Sequence, residues 1–286
     1  MINWPDQLVD KIARRDVVIL IGSGVSANSQ NATGKRPPTW YSFLLEAKNA
    51  LARCPKYVTT AINQYNYLDA CEYLRKLHGD NWIELLNNAF HTPNYRPAPI
   101  HEHIFNLDSR ITCSLNFDKI YDNYALIKSE GTYVTKSYWN DDIGSIASGP
   151  DRYLIKLHGS IDDPDRLIFS TKDYAQARNK HSNFYGMLDA LILTHTFFII
   201  GCGLSDPDLQ LLFENYRHRY NNLKNHYMAS PKPIHAQQAE LVKDNRGINI
   251  IPYSSNNGHE ELTDSLAELV TLVNDRRDAI ASSQSW

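Results

Sequence analysis

Val17-Val18-Ile19-Leu20-Ile21 runs straight into Gly22-Ser23-Gly24-Val25-Ser26, and this stretch decides the fold. Five apolar, mostly β-branched residues without polar alternation predict a strand buried on both faces, as in a parallel sheet covered by helices. The glycine-rich continuation predicts a tight turn at the carboxyl end of that strand. Upstream, Asp6 to Arg15 reads as a short amphipathic helix. Downstream, Asn28 to Pro38 is polar and rich in turn formers, hence a loop.

From Trp40 to Phe90 the apolar spacing is helical, with no good strand. Asp80 is expected to cap a short helix through Trp82 and Leu86. We read residues 40–108 as a helical insertion of three helices on one domain that spans 1–286. Strands are expected at Ile111–Leu115, Thr132–Lys136, Tyr153–Leu157, Leu167–Ser170, Phe197–Ile200, His226–Ala229 and Ile248–Pro252. Helices are expected at Asp118–Lys128, Phe184–Leu193, Asp206–Tyr220, Ala236–Asn245 and Glu260–Arg277. This alternation predicts an α/β, Rossmann-like doubly wound parallel sheet.

Composition sets outer limits. The 286 residues are 42% hydrophobic and 21% charged, an ordinary globular mix that excludes dominant disorder. A net charge of −3 gives no general attraction to nucleic acid or to an acidic membrane. Cys54, Cys71, Cys113 and Cys202 form no CxxC pair and read as reduced thiols. No apolar run approaches the roughly 20 residues of a membrane span, and the start shows no signal-peptide pattern. A cytoplasmic chain is the expectation, with no metal, no membrane and no direct nucleic-acid contact.

Ligands of such sheets bind beyond the carboxyl ends of the strands. Four polar clusters fall there: Gly22–Ser26, Asn116–Asp118, His158–Ser160 and Gly201–Ser205. The first could admit a pyrophosphate to backbone amides, or be only a turn. Asn116 and Asp118, two apart in an extended stretch, can face one ligand, although Asp118 could equally cap the next helix. His158 is placed as a general base, or as a structural histidine. Cys202 reads as a buried thiol rather than a nucleophile. His101 and His103 would face different ways on a helix, which argues against a metal pair.

In this order the four clusters resemble the sirtuin-type NAD-binding domain, and more narrowly the SIR2-like domains of bacterial anti-phage defence proteins. Gly22-Ser23-Gly24-Val25-Ser26 is similar to the family's GAG-x-S loop, and Ser114-Leu115-Asn116-Phe117-Asp118 to its TQN-x-D element. Lys156-Leu157-His158-Gly159-Ser160 resembles the KLHG strand end, and Gly201-Cys202-Gly203-Leu204-Ser205 the late glycine-serine loop. The likeness spans roughly residues 17 to 270. It departs where deacylating sirtuins carry two zinc-binding CxxC pairs, since the helical stretch 40–108 stands there instead. Arg36-Pro37-Pro38-Thr39-Trp40 resembles the Pro-x-Trp variant of the NAD hydrolases.

The resemblance implies NAD+ as substrate and cleavage of its nicotinamide–ribose bond without a metal. It implies that Asn116 holds the ribose or a water, that Asp118 meets the carboxamide and that His158 is the base. Gly22, Ser23, Gly24 and Ser26 would face the pyrophosphate, Gly203, Leu204 and Ser205 the adenosine ribose, and Trp40 the nicotinamide side. It implies abortive-infection defence by NAD+ depletion. The alternatives are an NAD-dependent protein deacylase and a non-catalytic NAD or ADP-ribose module. With no separate sensing domain expected, control is expected from assembly: a homo-oligomer, or a HerA-type ATPase ahead of an Argonaute-type partner.

Overall fold

The computed structural model describes residues 1–220 and 225–283. Seven parallel strands make one sheet among them: β1 (Val17–Ile21), β2 (Ile111–Ser114), β3 (Tyr133–Ser137), β4 (Arg152–Lys156), β5 (Thr196–Ile200), β6 (His226–Pro231) and β7 (Ile248–Tyr253). Their order is β3-β4-β2-β1-β5-β6-β7. The chain builds leftward from β1, then returns to its other side with β5. The switch point of this doubly wound sheet therefore lies between β1 and β5, where such sheets open a crevice.

Register brings the four clusters together. Ile21 is level with Ser114 on one side and with Ile200 on the other, and Ser114 is level with Lys156. The loops that begin at residues 22, 115, 157 and 201 thus emerge side by side.

Strand alternation fills two cores. Ile19, Ile21, Phe198 and Ile200 pack on one face with Leu8, Ile104, Leu266 and Leu269. Val18, Leu20, Phe197 and Ile199 pack on the other with Leu188, Leu191 and Phe213. All five β1 residues are buried; each such side chain contributes roughly 1.5–3 kcal/mol.

Helices at Trp40–Asn49, Lys56–Asn63, Tyr67–His78 and Asn81–Leu86, then a π turn at Asn87–His91, form a module with its own core of Phe43, Leu44, Ile62, Leu74 and Leu86. Phe117, Leu167 and Phe169 of the main body enter that core, so the module is rooted in the loops after β2 and β4. Arg75 adds a tether to Asp173 at 3.1 Å.

The structure departs from expectation in five places. The helix Pro99–Asn106, inside the 40–108 span, packs into the main core through Ile100 and Ile104. The module holds four α-helices before that point, not three helices across the whole span. Asp80 precedes Asn81–Leu86 but makes no side-chain cap, because its backbone is already helical. Leu167–Ser170 is no strand: Leu167 and Phe169 fill the module core, Ile168 fills one sheet-face core, and Ser170 caps a helix at Thr171–Lys180 that the sequence reading lacks. The helix after β2 starts at Ile120, because Asp118 turns back to accept the Ile120 amide at 3.0 Å.

Candidate active site

The first and fourth loops are knitted backbone to backbone. Gly22 N–H donates to the Ile200 carbonyl at 3.0 Å, and Gly24 N–H to the Gly201 carbonyl at 2.7 Å. A Cβ on Gly22 would lie 2.2 Å from the Cys202 Cβ, and one on Gly24 2.8 Å from the Gly201 oxygen. Gly201 itself has φ +68°, the left-handed region open to glycine. These glycines serve loop contact, and the amides of Gly22 and Gly24 are spent inside the protein. Ser23 is exposed between them.

Asn116 is buried beneath this loop. Its Nδ2 donates to the Gly22 carbonyl at 3.0 Å and to Ser26 Oγ at 2.9 Å, and its Oδ1 takes no hydrogen bond among the described residues. Two residues on, Asp118 is also buried. Both help line a small cavity of about 40 Å³ with Ser26, Pro37, Trp40 and Phe90.

A fully buried Lys156 supports that loop from β4. Its Nζ donates to the Asp118 carbonyl at 2.7 Å and pairs with Asp122 at 3.1 Å. Burial pushes the Asp122 carboxyl up, opposed by Lys156. A lysine in an otherwise apolar strand, Tyr153 to Leu157, was the sequence signal for this strut.

His158 emerges from the end of the same strand and packs against Phe117 and Tyr174. Its Nε2 is 3.0 Å from Asp206 Oδ2 and 3.3 Å from the Tyr174 hydroxyl, which itself donates to Asp206 Oδ2 at 2.6 Å. The other Asp206 oxygen caps the helix Pro207–Arg219 by accepting the Leu209 amide at 2.9 Å. Burial opposes the charge on Asp206. His158, Tyr174 and the Leu209 amide outweigh it and hold the carboxyl down at about 2, against an ordinary 3.8. A proton on Nε2, donated to Asp206, leaves Nδ1 as a lone pair able to accept one.

Sequence reading found His158, placed Asp206 only at the start of an expected helix and missed Tyr174. The Ser170-x-x-Asp173 capping box just before Tyr174 was the available clue.

The late loop divides its roles. Gly203 and Ser205 line the cleft, whereas the Leu204 side chain packs onto the core. Burial pushes the Cys202 thiol up to about 12, which leaves it protonated and poorly nucleophilic. Trp40 walls the cleft and also meets Phe43, Phe117 and Phe169 edge-on at 6.3, 5.6 and 5.5 Å. His101 and His103 stand two apart on the helix Pro99–Asn106 and so face different ways, His101 buried and His103 half-exposed.

The cleft has three lobes that meet at Ser23. The small one ends at Asn116 and Asp118. A second, of about 330 Å³, shares Asn116 with the first and contains His158, Tyr174 and Asp206 under a lip of Tyr65 and Tyr67 from the helical module. The third, of about 480 Å³, lies beyond β5, β6 and β7. This arrangement suits an elongated ligand crossing the switch point, with its middle at Ser23, one end near Asn116, and a base at hand. No helix among the described residues is long and apolar enough to cross a membrane.

The SIR2-like domain family matches residues 110–251. Defense-associated sirtuin 2 of Bacillus subtilis is 22% identical over 246 residues, covering 84% of this chain and 23% of that protein. NAD(+) hydrolase ThsA of Acinetobacter baumannii (strain 532279) is 21% identical over 224 residues, covering 78% of this chain and 44% of that protein. The chain therefore spans less than half the length of these relatives. A structure described under "Structural Basis for the Mechanism and Regulation of Sir2 Enzymes" aligns with a TM-score of 0.49 at 12% identity, covering 96% of this chain and 100% of that one.

Proposed function

With a SIR2-like domain at residues 110–251 as premise, we propose that the protein is an NAD+ glycohydrolase. One observation carries the proposal: Asn116 and a His158 backed by Asp206 line the same lobe of the cleft. Relatives named NAD(+) hydrolase and defense-associated sirtuin support it.

Nicotinamide would occupy the small lobe against Asp118, and adenosine the lobe beyond β5 to β7. The bond between C1′ of the ribose and the pyridinium nitrogen breaks, and its electron pair leaves with neutral nicotinamide. The ribose passes through an oxocarbenium-like state, as in glycoside cleavage. A water oxygen bonds to C1′, and its proton goes to His158, whose imidazolium Asp206 stabilises. The balance is NAD+ and water giving ADP-ribose, nicotinamide and a proton. Asn116, through its unpartnered Oδ1, orients the water or a ribose hydroxyl. Purified wild type should release nicotinamide from NAD+, and Asn116→Ala should not; release unchanged in Asn116→Ala would contradict the assignment.

Protein deacylation is the second reading, favoured by the roomy lobe at His158, which could admit an acyl-lysine. Loss of the acyl group from a peptide only when NAD+ is present would select it.

The biological role we propose is anti-phage defence by NAD+ depletion in the cytoplasm. An unrestrained enzyme would drain its own cell, which supports gating by self-assembly or by a partner such as a HerA-type ATPase. Turnover that climbs with protein concentration, or on adding the partner, would support gating. Full specific activity at high dilution would remove it.

A further inference from the structure

We infer that the lobe beyond β5, β6 and β7 takes an adenosine bearing a 2′-phosphate, with Arg36 and His259 receiving that phosphate, so that NADP+ is a substrate of the same site. The inference rests on the dinucleotide reading above and names which dinucleotide the lobe favours.

Charge in the lobe points one way. Arg36 and His259 line it with the neutral polar side chains of Ser23, Asn28, Ser230 and Tyr253, and no carboxylate lines it among the described residues. A site that reads the unmodified 2′-hydroxyl of NAD+ commonly presents an Asp or Glu to it, whereas an arginine stands there when a 2′-phosphate is bound. The nearby acids are spent elsewhere. Glu261 holds the Met1 ammonium at 2.9 Å and the Ser254 amide, and Glu260 takes the Asn257 side chain at 3.0 Å.

Both candidates have N–H or ring nitrogen groups to spare. Arg36 is exposed, and among the described residues its guanidinium is committed only to the Ala27 carbonyl, through Nη1 at 3.2 Å. The remaining N–H groups keep the fork that grips phosphate. His259 is fixed by Nδ1 against the Tyr253 hydroxyl at 3.1 Å, and its Nε2 takes no hydrogen bond among the described residues. It sits in a run of three left-handed residues, Asn257 to His259, that closes the lobe at the start of the last helix.

The test uses binding, so that it reads independently of hydrolysis. Titration calorimetry on the intact chain would compare adenosine 2′,5′-bisphosphate, adenosine 3′,5′-bisphosphate and adenosine 5′-monophosphate. The 2′,5′-bisphosphate should bind about 10-fold more tightly than the other two, and Arg36→Gln should erase that advantage; thermal melts would confirm that the variant is folded. His259→Asn should weaken the same ligand severalfold. Equal binding of all three, an advantage that survives Arg36→Gln, or no binding at all would overturn the inference. Nicotinamide release measured in parallel separates the two proposals. Release without a 2′ preference sinks only this one; a 2′ preference without release, in the tube or in infected cells, sinks only the hydrolase.

Discussion

Asp206 Oδ2 stands 3.0 Å from His158 Nε2 while Oδ1 of the same carboxylate caps the helix Pro207–Arg219. One side chain thus anchors the proposed base to the fold. Asp206→Asn keeps an oxygen for the cap but loses the charge that stabilises a protonated His158. Nicotinamide release should fall about 100-fold or more while KM changes little. Unchanged turnover in a folded Asp206→Asn protein would remove Asp206 from the mechanism.

The same pair makes stability depend on pH. The folded carboxyl of Asp206 titrates at about 2, below its ordinary 3.8. An unfolded chain therefore binds this proton more readily, and the contribution is present above the unfolded value. It amounts to about 2 kcal/mol and is lost as pH falls from roughly 4 toward 2. Urea unfolding of wild type and Asp206→Asn should differ most near neutral pH and converge in acid. A constant difference would contradict the account.

Lys156 offers a test of the strut under Asn116 and Asp118. Lys156→Met strands a buried Asp122 and should cost about 3–5 kcal/mol. Lys156→Met with Asp122→Leu should recover much of that stability but not the activity, because the Asp118 carbonyl still lacks its donor. Full activity in the stabilised double variant would show that the strut serves the fold alone.

The glycines separate by what surrounds them. Gly22→Ala drives a methyl to within 2.2 Å of the Cys202 Cβ and should lower stability by about 1–3 kcal/mol, with loss of turnover. Gly203→Ala meets nothing within 4 Å and should melt within a degree or two of wild type. Equal melting of the two variants would contradict the knitted-loop geometry.

What the sequence revealed follows from range. β1 and β5 were legible because strands buried on both faces carry unbroken apolar runs, Val17–Ile21 and Phe197–Ile200. The helix Pro207–Arg219 was legible because Asp206 and Pro207 form a local start signal. Leu167–Phe169 misled because an apolar run filling a core from an extended loop looks like a strand. The partnership of His158 with Tyr174 and Asp206 was hidden because those residues meet only after β4 and β5 have taken their places in the sheet. The glycines of the first loop suggested phosphate contact, yet the amides of Gly22 and Gly24 face β5 and its loop, a destination no local pattern encodes.

The most direct measurement is nicotinamide release from NAD+ by purified wild type and His158→Ala at high protein concentration, with the same assay in infected cells if a partner is required. The account predicts release by wild type, in the tube or during infection, and none by His158→Ala. Release that persists in His158→Ala, or NAD+ levels unchanged in both settings with the wild type, would contradict it.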